Sequence, residues 1–206
     1  MSLHAKHTLF FIFLIIAAAV LGLFLMRAPA PAANTDFGDL TRVYENTAEG
    51  FSIRYPEGYA VDSRYVYQEM GLEHLIEGVK FTISTSTAAG TNLGADSYLS
   101  VERIATTSAC TAALFLDQSG GAQTPTHTLT ENGTIYSVAS TTGAGAGNRY
   151  EETVYALPNT NPCRAARYFI HYSVFENYPP GTVREFDKQA LLFEFDHIRK
   201  TVDVLK

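Results

Sequence analysis

The chain has 206 residues, 46% of them hydrophobic and 17% charged, with a formal net charge of −6. Its first 27 residues hold two basic side chains, Lys6 and Arg27, so positions 28–206 carry 13 Lys and Arg against 21 Asp and Glu, a net −8. That acidity argues against nucleic acid as a partner and against lying on an anionic lipid surface, since both attract basic proteins.

The first element runs from Leu9 to Met26, 18 residues without a charge: LFFIFLIIAAAVLGLFLM. As a helix it spans ~27 Å, close to the ~30 Å hydrocarbon layer, with Lys6 and Arg27 able to reach the headgroups. The run is longer than the ~7–15 apolar residues of a signal peptide. Prolines interrupt the small-residue patterns Ala30-Pro31-Ala32 and Pro31-Ala32-Ala33. An uncleaved N-terminal membrane anchor, residues 1–27, is therefore favoured over cleavage. The first cysteine is Cys110, so no lipid-modified cysteine follows the run. Lys6 and the amino terminus against Arg27 tip the orientation toward a cytoplasmic N-terminus and an extracytoplasmic C-terminal domain. Residues 28–40, opening APAPAA, read as an extended linker. Residues 41–206 are long enough for one core.

Within that domain short alternating runs predominate, which favours strands. Residues 42–46 and 51–55 form the first pair. Strands follow at 59–62, 65–69, 79–84 and 98–104. Residues 107–116 change period, with Cys110, Ala113 and Leu114 at i, i+3, i+4 and Thr107 or Ser108 as a cap, so one short helix is expected. Residues 126–130 and 134–139 flank Glu131-Asn132-Gly133, whose Asn-Gly supplies the positive φ angles of a tight hairpin. A second pair, 149–157 and 164–174, follows. The last helix is expected over 183–201, with Thr182 and Glu185 at capping-box spacing and Leu191, Phe195, Ile198 and Val202 as its apolar stripe. The fold class is α+β: an antiparallel sheet with a short helix and a C-terminal amphipathic helix packed on it, preceded by one transmembrane helix.

Cys110 and Cys163 make an even count in a chain led by an export-type segment, which favours a disulfide; two buried thiols are the other reading. Their spacing, without CxxC, fits neither a zinc site nor a dithiol redox motif. No two histidines have metal-ligand spacing, and no HExxH, GxSxG or EF-hand loop is present. No cofactor, metal site or catalytic motif is assigned. Residues 143–148, GAGAGN, lack the third glycine and the following helix of a dinucleotide loop and read as a flexible hairpin connection. Asn132-Gly133-Thr134 matches a glycosylation sequon but is explained by the turn. Asp187, Glu194 and Asp196 read as a solvated helix face, with Asp196 and Lys200 an i,i+4 pair. One constellation stands out. Pairing across residues 158–162 brings Asn148, Arg149 and Glu151 toward Phe169 and His171, a set able to hold a small polar ligand or to form cross-strand charge pairs.

Phe51-x-Ile53-x-Tyr55-Pro56-x-Gly58-Tyr59 resembles the opening strand of PsbP/Mog1-like domains, which reads aromatic-x-aliphatic-x-Tyr-Pro and then an aromatic. Tyr59 stands where tryptophan is common. The resemblance implies a small α/β/α-type sandwich around an antiparallel sheet, used mainly as a binding or assembly module, and carries over no catalytic residue. The layout of the whole chain is similar to membrane-anchored bacterial proteins. The expected function is a membrane-anchored extracytoplasmic binding or assembly module with a protein partner in the envelope. The alternative is an exported hydrolase or transferase using Glu151 and His171 as acid and base.

Overall fold

Residues 39–71, 73–106, 109–117 and 124–205 are described by the structure, a computed structural model. The expected anchor, most of the linker, and the expected caps Thr107 and Ser108 lie outside them. Among the described residues no helix is long and apolar enough to cross a membrane.

The fold is mostly antiparallel β-sheet with few helices. Strands β1 (Arg42–Asn46) and β2 (Phe51–Tyr55) form the first hairpin, as their alternation predicts. The two-residue strand β10 (Asp203–Val204) pairs with Ser52 and Phe51 to complete a three-stranded sheet. The larger sheet has seven strands: β3 (Ala60–Tyr67), β4 (Ile76–Thr82), β5 (Tyr98–Ile104), β6 (His127–Glu131), β7 (Thr134–Gly145), β8 (Asn148–Leu157) and β9 (Cys163–Ser173). Their spatial order is β3-β4-β5-β9-β8-β7-β6, so the last long strand to be made lies in the middle. The two expected strands at 59–62 and 65–69 are one strand, β3, whose register shifts between Asp62 and Tyr65.

Side chains alternate across a strand, and β9 shows what each face of the sheet meets. Tyr168 and Ile170 join Phe81, Leu99, Leu191, Phe195 and Ile198 in one core beneath the C-terminal helix. Cys163 and Ala165 join Ala112, Phe115, Val154 and Ala156 in a second core on the opposite face. There, Cys110 is bonded to Cys163 across a Cα–Cα distance of 5.2 Å. Residues expected as a short α-helix form instead a single 3-10 turn, Ala112–Phe115. The segment is pinned at both ends, by the disulfide at Cys110 and by Arg167, whose Nη2 donates to the Phe115 carbonyl (2.6 Å). Among the described residues this face carries no second helical layer of the kind an α/β/α sandwich implies.

Two α-helices lie among the described residues. Helix α1 (Thr85–Ala88) is one turn capped by Ser84, in the stretch between the expected strands 79–84 and 98–104 where no helix is expected. Helix α2 (Lys188–Arg199) starts later than its sequence pattern indicates, because Thr182 does not cap it: its hydroxyl donates to the Pro179 carbonyl (2.8 Å). Residues ahead of α2 are held extended. Arg184 N donates to Gly90 O, Asn92 N donates to Arg184 O, and Phe186 N donates to the Asn92 side chain. Asp187 is the cap, accepting from Ala190 N (2.9 Å). The expected stripe is confirmed at Leu191, Phe195 and Ile198, each buried on the sheet and each stabilising by roughly 1.5–3 kcal/mol.

Candidate functional site

The β8–β9 register decides what the sequence-derived constellation can do. Asn148 lies opposite Ser173, Arg149 opposite Tyr172, Tyr150 opposite His171, and Glu151 opposite Ile170. Facing residues share a face of the sheet, so Asn148 and His171 fall on the disulfide face, while Arg149 and Glu151 fall on the α2 face. Asn148 accepts from the Ser173 hydroxyl (2.9 Å). Glu151 accepts from Tyr172 Oη (2.9 Å) and pairs with Lys188 Nζ (2.5 Å). The register therefore places Glu151 and His171 on opposite faces of the sheet and does not bring the expected acid–base pair together. The α2 carboxylates also differ from expectation. Asp196 accepts from Tyr168 Oη and Arg199, Lys200 reaches Glu131, and Glu194 accepts from Tyr59 Oη.

His171 has a different acidic partner, Asp96 in the loop before β5, at 2.8 Å from Nδ1. That carboxylate fixes the ring tautomer by accepting from Nδ1. The imidazole stacks on Tyr150 with centroids 4.7 Å apart, and its buried Nε2 has no partner among the described residues. A Cβ at Gly94 would stand 2.5 Å from Asp96 Oδ1 and 2.7 Å from His171 Nδ1, so the dyad needs glycine there. Ser97 lies nearby but is no nucleophile for this dyad: its hydroxyl donates to the His171 carbonyl and accepts from the His171 N–H.

Beside them a charge network is buried. Arg167, with no exposed surface, donates from Nε and Nη2 to the two oxygens of Glu102 (2.8 and 2.9 Å) and from Nη1 to Glu152. The guanidinium lies 3.6 Å from the Tyr67 ring centre. Burial alone lowers the Arg167 pKa, but Glu102 and Glu152 outweigh it and hold the group firmly protonated. Every side of this arginine is satisfied, which marks the network as structural. A polar residue in an otherwise buried strand is the informative one, and Arg167 between Ala166 and Tyr168 carried that signal in the sequence. Its partners Glu102 and Glu152 become legible only once the register is known.

The Gly-rich stretch behaves unlike a flexible connection. Gly143, Ala144 and Gly145 belong to β7, and only Ala146 and Gly147, at φ 49° and 80°, form the turn. Gly147 O accepts from Val174 N (2.8 Å) and Asn177 Nδ2 (3.0 Å), which fixes the turn against the following loop. β6 pairs with β7 only as far as Val138. Residues 140–145, all exposed, therefore have β8 on one side and no strand on the other among the described residues. In a two-residue hairpin the closing pair is hydrogen bonded. Gly145, Gly143 and Thr141 thus direct their backbone groups to β8, and Ser140, Thr142 and Ala144 direct theirs outward. No charge, proline or bulge blunts this edge, whereas the opposite edge, β3, carries a register shift with Asp62 and Arg64 exposed. Among the described residues no cluster of His, Cys, Asp or Glu is arranged to hold a metal ion.

Comparisons with known proteins give little beyond this geometry. No protein-family model matches the chain, and no curated protein matches it. A solved structure from Bacteroides thetaiotaomicron VPI-5482 aligns with 80% of the chain at 9% sequence identity and a TM-score of 0.44. The chain spans about half (48%) of that protein's length.

Proposed function

We propose that this protein is a membrane-anchored, extracytoplasmic binding and assembly module that engages an extended segment of another envelope protein by adding it to the outer edge of β7. The observation that carries this reading is the unpaired run of residues 140–145, with three backbone N–H and three C=O groups directed outward and small side chains that do not obstruct a visiting strand. Main-chain hydrogen bonds supply affinity in such strand addition. The turn fixed at Gly147 holds the edge in its extended form before a partner arrives. The apolar run from Leu9 to Met26 supports the anchor, and the disulfide agrees with an oxidising compartment. The PsbP/Mog1-like pattern at Phe51–Tyr59 and the α+β arrangement agree with a binding role.

The test is a photo-crosslinking residue at Ser140 in the full chain within its native membrane. The expected result is an adduct with a different polypeptide, abolished by Thr142→Pro. Proline at 142 removes an outward N–H and leaves the bonds to β8 in place. Absence of an adduct, an adduct of two copies of this chain, or an adduct that survives Thr142→Pro overturns the reading.

A further inference from the structure

On the α2 face, away from the β7 edge, the last residue of α2 is an arginine with unused donors. Arg199 is 1% exposed. Its Nε donates to Tyr168 Oη (2.7 Å), and its Nη2 donates to Asp196 (3.1 Å) and Glu131 (2.5 Å). Its Cζ lies 4.5 Å from the Tyr136 ring centre and 4.2 Å from that of Tyr155. These contacts fix the guanidinium plane. A guanidinium has five N–H donors, and the two on buried Nη1 meet no partner among the described residues. Leaving buried donors unmet is costly, so such an atom calls for an explanation.

Arg199 lines a cleft of about 250 Å³ between the sheet and the chain after α2. Tyr136 and Tyr155 line it too, and burial pushes the Tyr155 phenol up to about 12, so it stays a neutral O–H donor. Val101 and Val204 contribute apolar wall. Arg164, 7% exposed, closes the other end. It donates to the Glu49 backbone carbonyl and lies 5.9 Å from the Phe51 ring centre. The Glu49 carboxylate is itself taken by Arg103 (2.8 Å). Arg199 is balanced by two carboxylates, whereas Arg164 has no carboxylate within ion-pair distance among the described residues and is offset only from further away by Glu49, so burial lowers its pKa. Buried charges are ordinarily paired.

We propose that this cleft binds a small monocarboxylic acid, one carboxylate oxygen on Arg199 Nη1 and the other on a tyrosine hydroxyl, with its apolar body against Val101 and Val204. The volume corresponds to roughly eight water molecules, which suits a ligand of about that many non-hydrogen atoms. With Nε and Nη2 occupied, the arginine cannot grip a carboxylate with its usual two-pronged fork. The second oxygen therefore falls to Tyr136 or Tyr155. This site is independent of the β7 edge.

Benzoate is the probe, titrated calorimetrically into the full chain in nonionic detergent beside its neutral isostere benzamide. The expected result is saturable benzoate binding with a Kd below about 1 mM, and at least tenfold weaker binding of benzamide. Arg199 variants would also break its bonds to Tyr168, Glu131 and Asp196, so the diagnostic change is Tyr136→Phe with Tyr155→Phe, which keeps both rings over the guanidinium. It should weaken benzoate at least fivefold at unchanged melting temperature, and Val204→Phe, which fills the cleft, should abolish binding. No saturable binding, equal binding of benzamide, or benzoate binding indifferent to these changes overturns the proposal.

Discussion

Glu194 shows how a single side chain on α2 links packing to pH. Burial raises its pKa, and the hydrogen bond from Tyr59 offsets part of that rise. Folding therefore disfavours its ionised form. A carboxylate raised in the folded state contributes stability that is present at acid pH and lost as pH climbs through its folded value. Glu194→Gln keeps an acceptor for Tyr59 and removes the charge. The melting temperature should rise by about 2 °C at pH 7, and the gain should vanish below pH ~4, where the native carboxyl is neutral too. A difference constant across pH would assign the effect to packing instead. At this scale the sequence was a partial guide. His171, Asn148, Arg149 and Glu151 were identifiable as polar residues in strands, but residues close in sequence and on paired strands are still divided by the pleat. Asp96, the true neighbour of His171, lies 75 positions away in a loop, where no periodicity could mark it.

Among the elements, the segment from Cys110 to Phe115 depends most on a single bond. It has one short 3-10 turn of its own, and its order comes from the disulfide to β9 and from Arg167. Closing a loop of 53 residues is worth about 4 kcal/mol in the chain-entropy model. Replacing both cysteines by alanine should lower the stability from urea unfolding by about that amount, while a loss under about 1 kcal/mol would show that the second core holds the segment unaided. Hairpins were the most legible elements, because Asn132 and Gly133, at φ 49° and 81°, state the turn chemistry locally. The start of α2 and the length of β7 were not legible. Distant partners determine both: residues 90–92 claim the backbone ahead of Asp187, and β8 extends β7 through a stretch whose glycines read as loop.

For the molecule as a whole, the proposed anchor makes a topological prediction. The full chain should remain in the membrane pellet after alkaline carbonate washing, and protease added to the extracytoplasmic side should degrade residues 41–206 without breaching the membrane. Release by carbonate would remove the anchor, and protection from the protease would reverse the orientation. The fold supports this arrangement only through its compartment-dependent disulfide. The middle strand of the large sheet has a consequence for how the molecule assembles. β9 offers Cys163 and Arg167 to one core and Tyr168 and Ile170 to the other. A slip of one residue would exchange every one of these assignments at once. The thiol would then face away from Cys110, and Arg167 would lie under α2 without Glu102. The Cys110–Cys163 bond and the Arg167–Glu102 pair thus demand the same alignment of β9, so the covalent link and the buried charge pair select one register against its one-residue slip.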